Sequence, residues 1–454
     1  MSAFHPVYPR ITLIAASLGF VIVLLDVSVV NVALDALRMS FSTNVAGLQW
    51  VVNAYTLIFA ALLLMAGALG DRYGARAVFI AGLILFTLAS LGCGVAQTLT
   101  ALVAARLAQG IGAALLVPNS LALLSQAFPG KEERSRAVGW WGAAGGIALA
   151  AGPVVGGFLV TQVGWRGIFL INIPIGLIGL ALTLGYSKPS PRNDHRSLDL
   201  PGQAAAILAL VALATTLTDA GQLGWTHPRI IVAMLVTVLS AIGFILIEVR
   251  SRAPMLPLSL FSNSAFTIAA VTGVIINFAY YGLIFVFSLF FQLEQHLSAQ
   301  ETGMAFLPMT VILMVTNIIA SRLITRLGAR RLIVFGLVLA AAGYLLLLPI
   351  SVEGSYWQLV APMLMAASGI ALVVPTITNV TLSSVDQSRA GIASGVLNTA
   401  RQMGGMLGVA TCGYLVRDTA PVAFIQGMHL SLMVAVVLLF LGAALSLFCL
   451  SRET

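Results

Sequence analysis

Three ionisable residues stand where water is scarce: Asp26, Arg106 and Arg401 each fall deep inside a long apolar run. A charge at the centre of a bilayer costs roughly 2.5–3.5 kcal/mol on insertion scales. A residue kept there faces the interior of a helix bundle and usually has a functional reason to stay. Loss of water favours the neutral form of a carboxyl group, whereas a nearby guanidinium favours the ionised one. Asp26 is therefore expected to bind either a proton or a cationic compound, with competition between them coupling the two fluxes. The plainer reading is a buried carboxylate pinned by Arg106 or a hydroxyl. Arg106 is read as the partner whose movement switches proton affinity, or as a structural arginine held by backbone carbonyls. Arg401 has no acid on its own segment, which admits an organic anion as its partner, or a structural role.

The elements that must position these residues are spans of a membrane. Of 454 residues, 59% are hydrophobic and only 8% charged, with a mean hydropathy of +1.02. A soluble domain carries about 25% charged residues. The runs long enough to span are 11–34, 47–70, 77–97, 99–122, 137–161, 166–186, 202–219, 229–248, 265–291, 304–325, 332–350, 356–380, 390–415 and 428–449, fourteen in all. Asp26 then lies about nine residues (~13 Å) inside the outer end of span 1, and Arg106 about eight (~12 Å) inside that of span 4. The two share a depth. The first run carries Asp26 and lacks a small-x-small cleavage site, so it is expected to remain as span 1. Cys93, Cys412 and Cys449 lie in apolar spans and read as packing residues.

The net charge of +8 needs no nucleic acid. With both termini inside, seventeen of the 23 Lys and Arg residues fall in inner loops and four in outer loops, leaving Arg106 and Arg401 within spans. That is the positive-inside bias of a multi-pass protein.

An internal repeat organises the chain. Leu69-Gly-Asp-Arg-Tyr-Gly-Ala-Arg76 matches Leu323-Ile-Thr-Arg-Leu-Gly-Ala-Arg330, Ser135-Arg-Ala137 matches Ser388-Arg-Ala390, and Ala114-Leu-Leu-Val-Pro118 matches Ala371-Leu-Val-Val-Pro375. The order is the same and the offset nearly constant, at 253 to 257 residues. Spans 1–6 thus correspond to spans 9–14. The expected organisation is an N-terminal six-helix bundle over 1–186, an inserted helix pair with linkers over 187–264, and a C-terminal six-helix bundle over 265–454.

Several strings then carry a resemblance: Leu25-Asp-Val-Ser-Val-Val-Asn-Val-Ala-Leu34, Gly67-Ala-Leu-Gly-Asp-Arg-Tyr-Gly-Ala-Arg76, Arg106-Leu-Ala-Gln-Gly-Ile-Gly-Ala-Ala114, Gly152-Pro-Val-Val-Gly-Gly157 and Trp165-Arg-Gly-Ile-Phe-Leu-Ile-Asn-Ile-Pro-Ile-Gly176. Together with Leu307-Pro308 and Asn398-Thr-Ala-Arg-Gln-Met-Gly-Gly405, they resemble the fourteen-spanner drug:proton antiporter family of the major facilitator superfamily, with a branch similar to methylenomycin-A resistance proteins. Ser28 and Asp35 depart from it, standing where the family often has threonine and proline.

The resemblance implies an all-α fold with the substrate site at the midplane between halves. It implies proton relay for Arg106 and a conformational latch for Gly67, Gly70, Asp71, Arg72, Gly74 and Arg76, between halves in the outward-facing state. Plain topology explains the latch loop as well. Gly152, Pro153, Gly156 and Gly157 form its exporter motif, although small-residue packing accounts for the glycines. Cavity-lining candidates are Asn31, Asn53, Tyr55, Gln109, Asn277, Tyr281, Asn398, Arg401 and Gln402; Trp50 reads as interfacial.

The reading is a proton-driven antiporter, monomeric, in a bacterial cytoplasmic membrane, exporting small lipophilic or cationic compounds. The alternative is an exporter of one metabolite or organic anion. A membrane enzyme would need convergent catalytic groups, yet His5, His195, His227, His296 and His429 are scattered. No glycine loop for ATP is present, and neither metal nor cofactor is expected.

Overall fold

The computed structural model describes residues 8–193, 198–251, 254–350, 355–386 and 389–450. Arg196, Arg252 and Arg452 of the inner-loop cations, with His5, His195 and Ser388, lie outside the described residues. The described chain is helical, with no strand among the described residues. Helices α1 (Pro9–Phe41), α2 (Val45–Tyr73), α3 (Ala75–Val95), α4 (Leu99–Ala127), α5 (Lys131–Val163) and α6 (Gly167–Tyr186) come first. Then follow α7 (Leu200–Leu223) and α8 (Pro228–Arg250). The last six are α9 (Ser264–Glu294), α10 (Ala299–Leu327), α11 (Ala329–Leu346), α12 (Tyr356–Ser383), α13 (Ala390–Leu415) and α14 (Pro421–Cys449).

Thirteen of these helices are long and apolar enough to cross a membrane. The exception is α13, whose mid-section holds Asn398, Thr399, Arg401 and Gln402. Its setting explains the tolerance: α13 packs against α9, α2, α7 and α14, so few of its faces need suit lipid. The opposite case is α8, the most hydropathic span at 2.9, with only 17% of its central window buried.

Packing repeats along the chain as the sequence does. Contacts α1–α5, α2–α4, α3–α4, α3–α6, α1–α6 and α1–α4 have counterparts in α9–α13, α10–α12, α11–α12, α11–α14, α9–α14 and α9–α12. Backbone detail repeats too. Gly74 (φ 89°) and Gly328 (φ 76°) make the same left-handed turn between matching helices, a conformation that favours glycine. Between the two sets, α5 meets α10 and α2 meets α13, pairs that the repeat exchanges. Helix α7 lies on α2 and α13, and α8 rests on α7.

Polar bonds between the sets gather at the end distal to the termini. Gln49 of α2, 1% exposed, donates to the carbonyls of Val409 (3.1 Å) and Ala410 (2.7 Å) on α13. Gln292 of α9 accepts from the Asp35 amide at 3.1 Å, and Ser288 donates to the Asn31 carbonyl. Each hydrogen bond contributes about 1 kcal/mol, so Gln49→Ala should loosen this end by about 2 kcal/mol, on the order of thirtyfold in the open fraction. With Cys449 replaced by serine and the buried Ala33 by cysteine, an impermeant maleimide should then react faster from the distal side. Unchanged labelling would show that Gln49 does not hold this end shut.

Candidate functional site

Asp26 sits on α1 with no exposed surface, and α4 and α6 supply its hydrogen-bonding partners. Arg106 of α4 donates from Nη1 to Oδ2 of Asp26 as a buried ion pair. The second carboxylate oxygen accepts from Gln109 Nε2 at 3.2 Å and from Asn172 Nδ2 of α6 at 3.0 Å. Gln109 also donates to Ser90 Oγ of α3 at 2.7 Å, and its Oε1 accepts from Arg106 at 2.9 Å. Arg106 Nε is bound by the Val51 carbonyl of α2 at 3.1 Å. The guanidinium lies 4.4 Å from the Tyr55 ring centroid, a cation–π contact.

Two ions leave water favourably only when their remaining lone pairs and protons also find partners. Here both carboxylate oxygens are occupied, and the guanidinium has an acid, an amide, a carbonyl and a ring. Of the two readings of the sequence, the geometry is that of the plainer one: Asp26 is pinned by Arg106, and the pair is enclosed within α1, α2, α3, α4 and α6 instead of lining an open passage in this conformation. Ser90 and Asn172 were missed as participants. Asn172 was legible as an amide in the string beginning at Trp165, whereas Ser90 resembles any small residue in an apolar helix.

Four residues beyond Asp26, α1 tightens to a 3₁₀ turn over Val30–Ala33. The Asn31 carbonyl accepts from Ser288 and from Gln292 at 3.5 Å, both on α9. The glycine motif of α5 packs beside this segment. Gly152 abuts Ser28, and a Cβ on Gly156 would come 3.1 Å from Val29 Cα. A Cβ on Gly157 would come 2.8 Å from Gln300 Cα on α10, so the motif brings α5 against α1 and α10 at once.

The loop motif points elsewhere. Arg76 donates to the Leu184 carbonyl at 2.8 Å and its amide to Ser190 at 3.0 Å, while the Asp71 carbonyl accepts from Asn193 at 2.9 Å. Gly70 packs against Asn119 of α4, Gly67 has room beside Pro118, and Arg72 covers the Tyr73 ring at 5.5 Å. These contacts tie Gly70 to α4, and Arg76 and the Asp71 carbonyl to the end of α6 and the segment that follows it. Trp50, read as interfacial, donates to Asp219 of α7 at 2.8 Å.

Of the expected cavity residues, Asn31 joins the distal contacts and Tyr55 and Gln109 join the ion pair. Asn53 is fully buried with neither amide atom bonded. Asn277 donates to the Gly273 carbonyl at 2.9 Å, and Tyr281 packs against Gly405. Asn398, Arg401 and Gln402 are half-buried on α13.

Removing one member of a buried pair costs about 3–5 kcal/mol, whereas replacing both with apolar residues can cost little. Asp26→Leu should therefore lower the Tm of the detergent-solubilised protein sharply, and Asp26→Leu with Arg106→Met should recover most of the loss. Equal, additive losses would mean that the two side chains do not depend on each other.

Comparison with known proteins agrees with this architecture. Residues 16–409 match the family model described as Major Facilitator Superfamily. The chain is 38% identical to the Methylenomycin A resistance protein of Streptomyces coelicolor, over 89% of this chain and 85% of that one. It is 37% identical to the protein of the same name from Bacillus subtilis, over 95% and 94%. Multidrug resistance protein Stp of Mycobacterium tuberculosis is 38% identical, over 89% and 75%. In fold, a D-xylose-proton symporter superposes with a TM-score of 0.73 at 15% identity, covering 98% of this chain and 99% of that one. The model match spans most of the chain and the relatives are similar nearly end to end: this protein belongs to the major facilitator superfamily, as a multi-pass membrane transporter.

Proposed function

We propose that this protein is a drug-efflux transporter that exchanges inward-moving protons for small lipophilic or cationic compounds. It works as a monomer in the bacterial cytoplasmic membrane, with both termini in the cytoplasm. Relatives named for methylenomycin A resistance and multidrug resistance support the efflux part. The observation that carries the coupling is the enclosed Asp26–Arg106 pair.

A proton on Asp26 removes the anion that compensates Arg106, leaving a permanent cation in a dry interior. The protonated state therefore favours a different packing of α1 and α4. Because α1 also grips α9 through Asn31, repacking loosens the distal end. In the proposed orientation that end is the outer gate, and this conformation has it shut. A proton taken from the outer side opens the gate, cargo leaves, and after the gate recloses the loss of that proton to the cytoplasm restores the pair. One charge moving down 100 mV supplies about 2.3 kcal/mol.

The test is reconstitution in proteoliposomes with an imposed pH gradient and a lipophilic fluorescent dye as cargo. Asp26→Asn should cut gradient-driven accumulation by about tenfold or more, the effect of at least ~1.4 kcal/mol of lost coupling, while dye-for-dye exchange persists. Gradient-driven accumulation that survives the substitution would place the coupling elsewhere.

A further inference from the structure

The two halves differ most in how they treat a buried guanidinium. Arg106 has its acid; Arg401, near the middle of α13, has none. Its Nε is buried without a partner, and among the described residues Arg401 forms no hydrogen bond or ion pair. The residue as a whole is half-buried, and no partner among the described residues engages its terminal nitrogens. Its neighbours share this condition. Thr399 Oγ1 is buried and unbonded, and the partly exposed Asn398 and Gln402 make no side-chain hydrogen bond. Four polar side chains within five residues of one membrane-depth helix, none hydrogen-bonded to protein among the described residues, are costly against hydrocarbon; they call for water or a ligand.

The direction in which Arg401 faces follows from its packing. Its stem lies over Gly273 of α9, where an added Cβ would come 3.3 Å from Cγ. On α13 itself, Gly395 packs against Leu64 of α2, and Met403 and Met406 pack with Leu57 and Ala61 of α2, so Arg401 lies on the stretch of α13 that meets the other six-helix set.

An uncompensated cation in a low-dielectric passage attracts an anion, and a planar guanidinium pairs best with a two-oxygen carboxylate. From this we infer that Arg401 is the recognition point for a carboxylate on exported molecules, so that carboxylate-bearing lipophiles are among the cargo. The inference rests on the efflux reading and names a substrate class for it. Asn277, bonded to the Gly273 carbonyl, and Tyr281, packed on Gly405 one turn beyond Arg401, are the neighbours that would meet the remainder of the molecule.

Three probes of one shape and different charge test this in proteoliposomes of the full chain: 2-naphthoate, the neutral 2-naphthamide and the cationic 2-naphthylmethylammonium. Wild type should transport naphthoate at a half-saturating concentration about tenfold below that of the amide, and naphthoate should raise the Tm of the solubilised protein. Arg401→Gln should abolish both preferences while amide transport continues, which also shows that the variant is folded; Arg401→Lys should retain part of the preference. Equal handling of naphthoate and naphthamide by wild type, or an undiminished naphthoate preference in Arg401→Gln, would overturn the inference while leaving efflux standing. No gradient-driven movement of any of the three probes in wild type would overturn the efflux reading and this inference together.

Discussion

A guanidinium that cannot lose its charge and cannot reach water must be given an anion, and in this molecule much of the N-terminal packing follows from that need. Arg106 is 1% exposed, yet its compensation draws on α1, α2, α3, α4 and α6 through Asp26, Val51, Ser90, Gln109 and Asn172. Such a network is stable when complete and costly when any member is lost. In the proposed mechanism that cost is what lets it act as a switch. A single proton on Asp26 changes the network from complete to deficient without altering any other group.

Transmission from the pair to the gate needs no long pathway. Helix α1 carries Asp26 and, a few residues on, the 3₁₀ turn whose carbonyl at Asn31 is held by Ser288 and Gln292. A short 3₁₀ stretch inside a long helix is a common place for a hinge. The glycines of α5 keep that helix pressed to α1 on one side and α10 on the other, so a shift of α1 reaches both contacts between the halves. The residues that read as a generic small-residue stripe in the sequence thus have a definite geometric use.

Much of this was legible in the sequence because membranes impose strong rules. Hydropathy located the helices, α13 among them despite its polar mid-section, the repeat matched spans 1–6 to spans 9–14, and the depth argument put Asp26 and Arg106 at one level. What stayed hidden depends on side-chain direction. Gln49, Gln292 and Ser288 sit in apolar runs like other polar residues there, and nothing in their spacing says that they bond across the seam. The latch motif shows the complementary limit: its string predicts contacts for one conformation, whereas the contacts of Arg76 in this one run to the end of α6.

The repeat makes the two halves alike in backbone, and the charges make them unlike in purpose. Gly74 and Gly328 turn the chain in the same way, but the first half closes its ion pair and the second leaves Arg401 open. Had both halves carried complete pairs, the passage would hold no charged group free to act on cargo. Had neither, the pair on which the proposed proton switch depends would be missing. The division also sets the energetics. Exchanging one proton inward for a monocation outward moves no net charge, whereas exchanging it for a monoanion moves two, worth about 4.6 kcal/mol at 100 mV. An arginine at the seam therefore does more than select cargo: it admits the class of molecule whose export the membrane potential drives hardest.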